Sequence, residues 1–297
     1  MEKPSKKHHY LPRHYLKGFT DDKGNFFVYD KQKDNIFKSS PAAAFFENNL
    51  NTITFSSGDS SSFMEGLYAR IESQTWNSFN NIIKSNHNIP VSLLDKMYLF
   101  LFLIFLHWRL PSNIEYIAKL SEKSFAGNNE MDFFDLVDKN GEKAPKEYID
   151  LIKNSSEFKK TLKIIAPFAP FYGAHWAIKL FNWRFLYTGD DQSWYIVGDN
   201  PIITRGANDH DPIHCLDEFV FPVSGKIFLV NVNKPVEGNL PPEVVLQFNT
   251  AIIERAQRFV ACQNESFLKA LISRFKLHES YMKTNIIIPE LFKMLGV

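Results

Sequence analysis

Cysteine is scarce: Cys215 and Cys262 are the only two, too few for a disulfide framework. An excess of either charge is lacking too. Thirty-four basic side chains face 33 acidic ones, a formal net charge of +1, so no global field draws the molecule toward nucleic acid or anionic lipid. Binding of that kind has to come from a local patch. No apolar run reaches across a bilayer: MYLFLFLIFL, Met97 to Leu106, covers roughly half of a ~30 Å hydrocarbon core at about 1.5 Å per helical residue, and Lys96, His107 and Arg109 bound it. The polar, basic start from Met1 to Lys7 is followed by no apolar signal region, and the expectation is a reduced, cytoplasmic protein that is not membrane-bound. Missing as well are an internal repeat, a phosphate-binding glycine loop, a flanked serine or cysteine nucleophile and a helical HExxH, which disfavours those enzyme classes.

What is present is a large apolar and aromatic content, 44% hydrophobic with 28 phenylalanines, enough for one big core. HHYLPRHYLKGF, residues 8 to 19, packs three histidines and an arginine among large apolar residues. Pro12 holds Leu11 extended and suits the first turn of a helix, so His8 to Leu11 reads as extended and Arg13 to Lys17 as a helical turn. Gly18 is expected in the left-handed position that ends it. In an extended segment His8 and His9 point to opposite sides. FFVYD then alternates as a strand, with a partner around Ile36 to Ser39.

Phe63 to Lys84 is helical by period, and Ser92 with Asp95 opens a second helix that includes the apolar run and stops at Pro111. With no polar face, that run belongs in the interior. A capping box, Ser112 with Glu115, predicts a third helix to about Ser124, and polar residues 126–146 predict a surface excursion before a helix from Glu147. The second half changes period: WRFLYT and SWYIV flank GDDQ as a hairpin, EFVFPV and KIFLVNV form another, and a helix, the strand RFVAC and a last helix ESFLKALISRF follow. Helices followed by a mainly antiparallel sheet make this an α+β fold. The expected organisation is a single integrated domain over 1–297. Its helical part is about 60–180 and its sheet-rich part about 181–297, with the strip 8–40 packed across both.

Four features carry candidate chemistry. Glu65 and Glu72, seven apart, lie nearly above one another on the first long helix, within a stripe continued by Tyr68, Trp76 and Phe79. A carboxylate there needs a cation or a donor if buried. Arg109 ends the apolar helix, where it either complements the dipole or presents its fork to a carboxylate or phosphate. GDNP places Asp199 and Asn200 in a turn at the end of a strand, by default an architectural role and otherwise a base or metal ligand. The loop with Asp209, His210, Asp211, His214, Cys215 and Asp217 has ligand residue types without ligand spacing.

Taken together, HHYLPRHYLKGF, the VYDK strand, the E-x6-E helix, R-x-P, GDNPI, FPVS and N-x6-A-x-R-F-V resemble the DUF4238 family of uncharacterised, mainly bacterial proteins. The resemblance spans His8 to about Cys262. It implies one integrated domain and draws attention to His9, Pro12, Tyr15, Glu72, Arg109, Asp199, Asn200 and Pro222. The chain departs from the pattern after Ile203. For function, the expectation is a phosphodiester hydrolase acting on nucleic acid or nucleotides, as a toxin or defence effector. Its catalytic set is His8, His9, Glu72, Arg109 and Asp199. Arg13, His14, Tyr15 and Asn200 are expected to contact substrate, and Glu72 and Asp199 are candidate ligands for a divalent metal, the one candidate cofactor. The rival is a non-catalytic binding protein whose buried polar residues are structural ion pairs.

Overall fold

The computed structural model describes residues 6–54, 60–61, 63–85, 90–113, 166–171, 175–188, 194–205, 216–232, 240–279 and 286–296. The expected third helix, the excursion 126–146, the helix from Glu147, the GDDQ turn and most of the Asp/His loop lie outside the described residues.

The opening strip is strand β1 (Lys7–His9), the short helix α1 (Arg13–Leu16) and a 3-10 turn to Phe19. Pro12 caps α1 in the extended conformation its position dictates, φ −58° and ψ 138°. Gly18 does not take a left-handed conformation. It lies inside the 3-10 turn, and its missing Cβ matters because one built there would meet Ser224 Cβ at 3.2 Å. β2 (Phe26–Asp30) and β3 (Asn35–Ser39) form the expected hairpin, and β4 (Phe46–Asn48) returns to pair antiparallel with β1. A small ladder joins β5 (Ile53–Thr54) to β6 (Ser60–Ser61).

Helix α2 runs from Phe63 to Lys84, and α3 from Leu93 to Arg109 packs along it. Ser92 caps α3 by accepting from the Asp95 amide at 3.1 Å, as the sequence predicts. The apolar run is largely buried from Leu99 onward, whereas the start of α3 is open, with Leu93, Leu94 and Met97 exposed among the described residues. The helix is therefore buried over its C-terminal three turns and not from end to end. Helix α4 (His175–Lys179) leads into β7 (Trp183–Tyr187). After these come β8 (Val197–Gly198), β9 (Ile203–Thr204), β10 (Phe219–Ser224), β11 (Ile227–Asn231), α5 (Pro242–Arg255), β12 (Phe259–Cys262), α6 (Glu265–Glu279) and α7 (Ile287–Met294).

Two four-stranded antiparallel sheets have the orders β7-β11-β10-β9 and β3-β2-β12-β8; the first comes from the second half, and the second joins the N-terminal hairpin to β12 and β8. The β10–β11 hairpin forms in the predicted place. The other one does not: β7 pairs with β11, while β8 pairs with β12 in the second sheet. Both runs are apolar on alternate faces, and a run of that kind is stabilised by whichever neighbour lets both faces be covered. Helix α7 was not anticipated, because Pro289 sits in its first turn amid a short isoleucine run that lacks helical period.

The first sheet lies between two cores, which explains why every residue of β10 and β11 is buried. Phe219, Phe221, Val223, Ile227 and Leu229 face α3 and the opening strip, and Val220, Phe228 and Val230 face α5. Pro222 removes one ladder donor, and the β10–β11 register shifts between Pro222 and Ser224. The architecture is α+β.

Candidate functional site

α2, α3 and the opening strip meet around one carboxylate. Arg109, the last residue of α3, is buried and donates from Nη1 to Glu72 Oε1 at 2.5 Å. Its guanidinium also lies 4.6 Å from the centroid of Tyr68, one helical turn before Glu72. The cation is thus committed across the helix pair, and the last turn of α3 is capped otherwise, by Asn113 donating to the His107 carbonyl at 2.5 Å. On the opposite side, His14 Nδ1 of α1 stands 3.5 Å from Glu72 Oε2. The His14 ring is held edge to face by Trp76, Phe79 and Phe102, at 5.5, 5.8 and 5.6 Å between centroids.

Burial alone would raise the Glu72 pKa. The His14 hydrogen bond and the Arg109 charge and hydrogen bond outweigh it and hold the carboxyl down to about 2. His9 reaches the same region from β1. Its burial, together with the positive charges of Arg13 and Arg109, lowers its pKa to about 4, against a bond to the Ala42 backbone and the charge of Glu72. Its Nε2 is buried without a partner among the described residues, as are His14 Nε2, Arg109 Nε and the Tyr68 hydroxyl. Four such atoms beside one ion pair concentrate unmet hydrogen-bonding capacity here among the described residues. Pro12, Tyr68, Ile71, Glu72, Phe105 and Arg109 line a cavity here of about 10 Å³, room for roughly one water.

The other expected members do not join this cluster. His8 faces away from His9, as strand alternation requires, and its Nδ1 accepts from the Asn51 amide at 2.9 Å. Asn51 Nδ2 in turn donates to Glu65 Oε1 at 2.6 Å. Asp199 accepts from the amides of Gln257, Arg258 and Phe259 at 2.8, 2.7 and 2.8 Å, so its oxygens are occupied with holding the chain between α5 and β12. Burial raises its pKa above the ordinary value, although these three amides and Lys31 pull the other way. Asn200 is half-buried in the same turn. Tyr15 is core: fully buried, stacked on Phe221 at 5.2 Å, with its hydroxyl donating to the Pro222 carbonyl at 2.8 Å. It leaves no hydroxyl for a substrate. Arg13 is exposed at the edge of the cluster.

As for a metal, no three His, Cys, Asp or Glu side chains gather as a ligand set among the described residues. Glu72 and Asp199, the two proposed ligands, are engaged by different partners in different parts of the fold. The cluster members that sequence reasoning passed over as ordinary packing are Tyr68 and Trp76. Their signal was present: both lie on the Glu65–Glu72 stripe, at three and four residues from Glu72 or Glu65.

The family model described as a protein of unknown function, DUF4238, matches residues 7–266, and the chain belongs to that family. No curated protein and no solved structure matches it.

Proposed function

We propose that the chain is a phosphodiester hydrolase of the acid–base kind, with His9 and His14 as proton-transfer groups around the Glu72–Arg109 pair. The observation that carries this reading is a pair of imidazoles, each with an Nε2 unpartnered among the described residues, next to an anion already neutralised by a buried arginine. Glu72 orients His14 through Nδ1 and would stabilise the imidazolium formed when Nε2 takes a proton, the part a carboxylate plays in a hydrolytic triad. His9 bonds the Ala42 backbone, and with its pKa near 4 it is neutral at pH 7 with a lone pair on Nε2. Arg13, exposed and without a carboxylate partner among the described residues, supplies charge for a phosphoryl oxygen. If a divalent metal takes part, Glu72 would be one of the residues to hold it, and adding or chelating Mg or Mn tests this.

The test is turnover on a panel of RNA, DNA and nucleotides, with Mg or Mn and with chelator, comparing the intact chain with Glu72→Gln and His14→Ala. Loss of turnover in both variants, each still folded at the assay temperature, on a substrate that the intact chain cleaves supports the reading. The rate should also fall on the acid side near pH 4 as His9 protonates.

The size of the cavity favours a second reading. A space for one water suits a packing device, in which the pair pins α2 to α3 and the strip. That reading expects lost stability in both variants and no product from any substrate.

A further inference from the structure

Beside the cluster, one partly exposed aromatic ring carries a lysine over its face. Trp76 follows Glu72 by one helical turn and keeps 36% of its surface exposed, the open member of a stripe whose other rings are buried. Lys17 Nζ lies 5.8 Å from its ring centroid, and the His14 ring meets it edge-on at 5.5 Å. Arg13 and Lys17 are exposed, and neither has an acidic partner among the described residues. A large ring left partly open is common on a protein surface; what marks this one is the lysine resting on its face, with a second exposed cation, Arg13, one helical turn before that lysine.

We infer that Trp76 is a stacking platform for an unpaired base, with Lys17 and Arg13 holding the flanking phosphates, so that the ligand of this face is single-stranded nucleic acid. The inference rests on the hydrolase reading for its placement, since a base on Trp76 sets its own backbone beside His14. Its physics is independent of turnover. An indole face accepts any base that is not already stacked in a duplex, and two uncompensated cations favour the phosphates on either side. A folded protein partner with an acidic patch would use the cations without needing the ring.

The experiment is titration of the full chain with a short phosphorothioate single strand that resists cleavage, and with the same sequence as a duplex, following indole fluorescence and labelled-strand anisotropy. The expected result is quenching by the single strand, weaker binding of the duplex, and roughly tenfold or greater weakening in Trp76→Ala, with Trp76→Phe within about threefold of the parent. Lys17→Glu should lower the salt dependence by about one phosphate contact. Absence of single-strand binding, equal duplex binding, or unchanged affinity in Trp76→Ala overturns the inference. If Trp76→Ala melts early, Lys17→Glu decides, and an unchanged salt slope overturns it. Hydrolysis with no effect of Trp76 sinks this inference alone, whereas Trp76-dependent binding with no product from any substrate sinks the hydrolase reading alone.

Discussion

Glu72 and Asp199 are both carboxylates drawn into the interior, and both stood out in the sequence, yet they are satisfied in different ways. Asp199 is met by three main-chain amides and lies in a joint built from the VYDK strand, the GDNP turn and the end of α5. In that joint Arg258 bonds Asp30 from Nε and Nη2, Lys31 caps α5 by donating to the Ile253 and Ala256 carbonyls, and Asn249 bridges to Ile196 and Trp194. Gly198 lies so close to α5 that a Cβ would meet Ile252 Cγ2 at 3.0 Å. Glu72 is met by two side chains, and unpartnered nitrogens surround it. Backbone donors have no alternative task, so a carboxylate that takes them is architecture. Side-chain partners can change state, so a carboxylate that takes those can serve chemistry. The family's recognisable segments divide along this line, with the GDNPI and N-x6-A-x-R-F-V segments in the joint and the opening strip, Glu72 and Arg109 in the cluster.

The largest effect should follow from breaking the joint. Asp199→Ala strands three amides, and at roughly 1–3 kcal/mol for each unmet buried donor, less relaxation and water entry, we expect a loss of about 3–5 kcal/mol or failure to fold. Denaturant unfolding checks this. A loss under about 1 kcal/mol would mean that the joint is not what holds β12 to the GDNP turn.

The cluster should show itself next, through pH. His9 has a folded pKa near 4 against an ordinary 6.5, so the unfolded chain takes the proton first. Its contribution is therefore lost as pH falls from about 6.5 to 4, and about 3 kcal/mol is the order of magnitude. Glu72 acts below that: with its folded pKa near 2, its contribution is present above about 4.5 and lost as pH falls toward 2. Unfolding midpoints across pH should decline in both windows, and His9→Gln should flatten the upper one only. A parent protein already flat between pH 6.5 and 4 would remove the claim that His9 is held neutral.

How much of this was legible follows the same division. The hairpin β2–β3, the extents of α2 and α3, the Ser92 cap and β10–β11 were readable because period, proline and capping residues are local signals. The pairing of β7 with β11 was not, since which of two apolar runs a strand joins depends on what covers its far face. Arg109 and Glu72 could each be suspected from an isolated polar residue in an apolar stripe, but their contact needed the packing of α2 on α3. Asp199 looked like a candidate for chemistry because a sequence shows the acid and hides the amides, which every residue carries alike. Tyr15 misled for the opposite reason: its hydroxyl is conspicuous, and the carbonyl of Pro222 that accepts from it, 207 residues on, is invisible.

Arg109→Met sharpens the comparison further by leaving Glu72 with His14 alone. Because Glu72 keeps 27% of its side chain exposed, the loss should be about 2–3 kcal/mol, below the usual range for a fully buried broken pair. Adding Glu72→Gln should recover part of it, since the stranded charge is gone. A double variant no better than the sum of the singles would show that the two side chains are not coupled.

The smallest effect distinguishes two glutamates seven residues apart on one helix. Glu65 Oε1 is 3.6 Å from His8 Nδ1, which by distance alone counts as an ion pair. The same Nδ1 accepts a hydrogen bond from the Asn51 amide, however, and a nitrogen whose lone pair is engaged carries no proton to share with a carboxylate. What holds Glu65 is the neutral amide of Asn51, which a glutamine oxygen accepts equally well. Glu65→Gln should therefore change stability by no more than about 0.5 kcal/mol, while Glu72→Gln, which loses two charged or hydrogen-bonding partners, costs several times as much. If the two variants melted together, the distinction between a carboxylate held by a cation and one held by a neutral amide on this helix would fail, and with it the ground for placing the chemistry at Glu72.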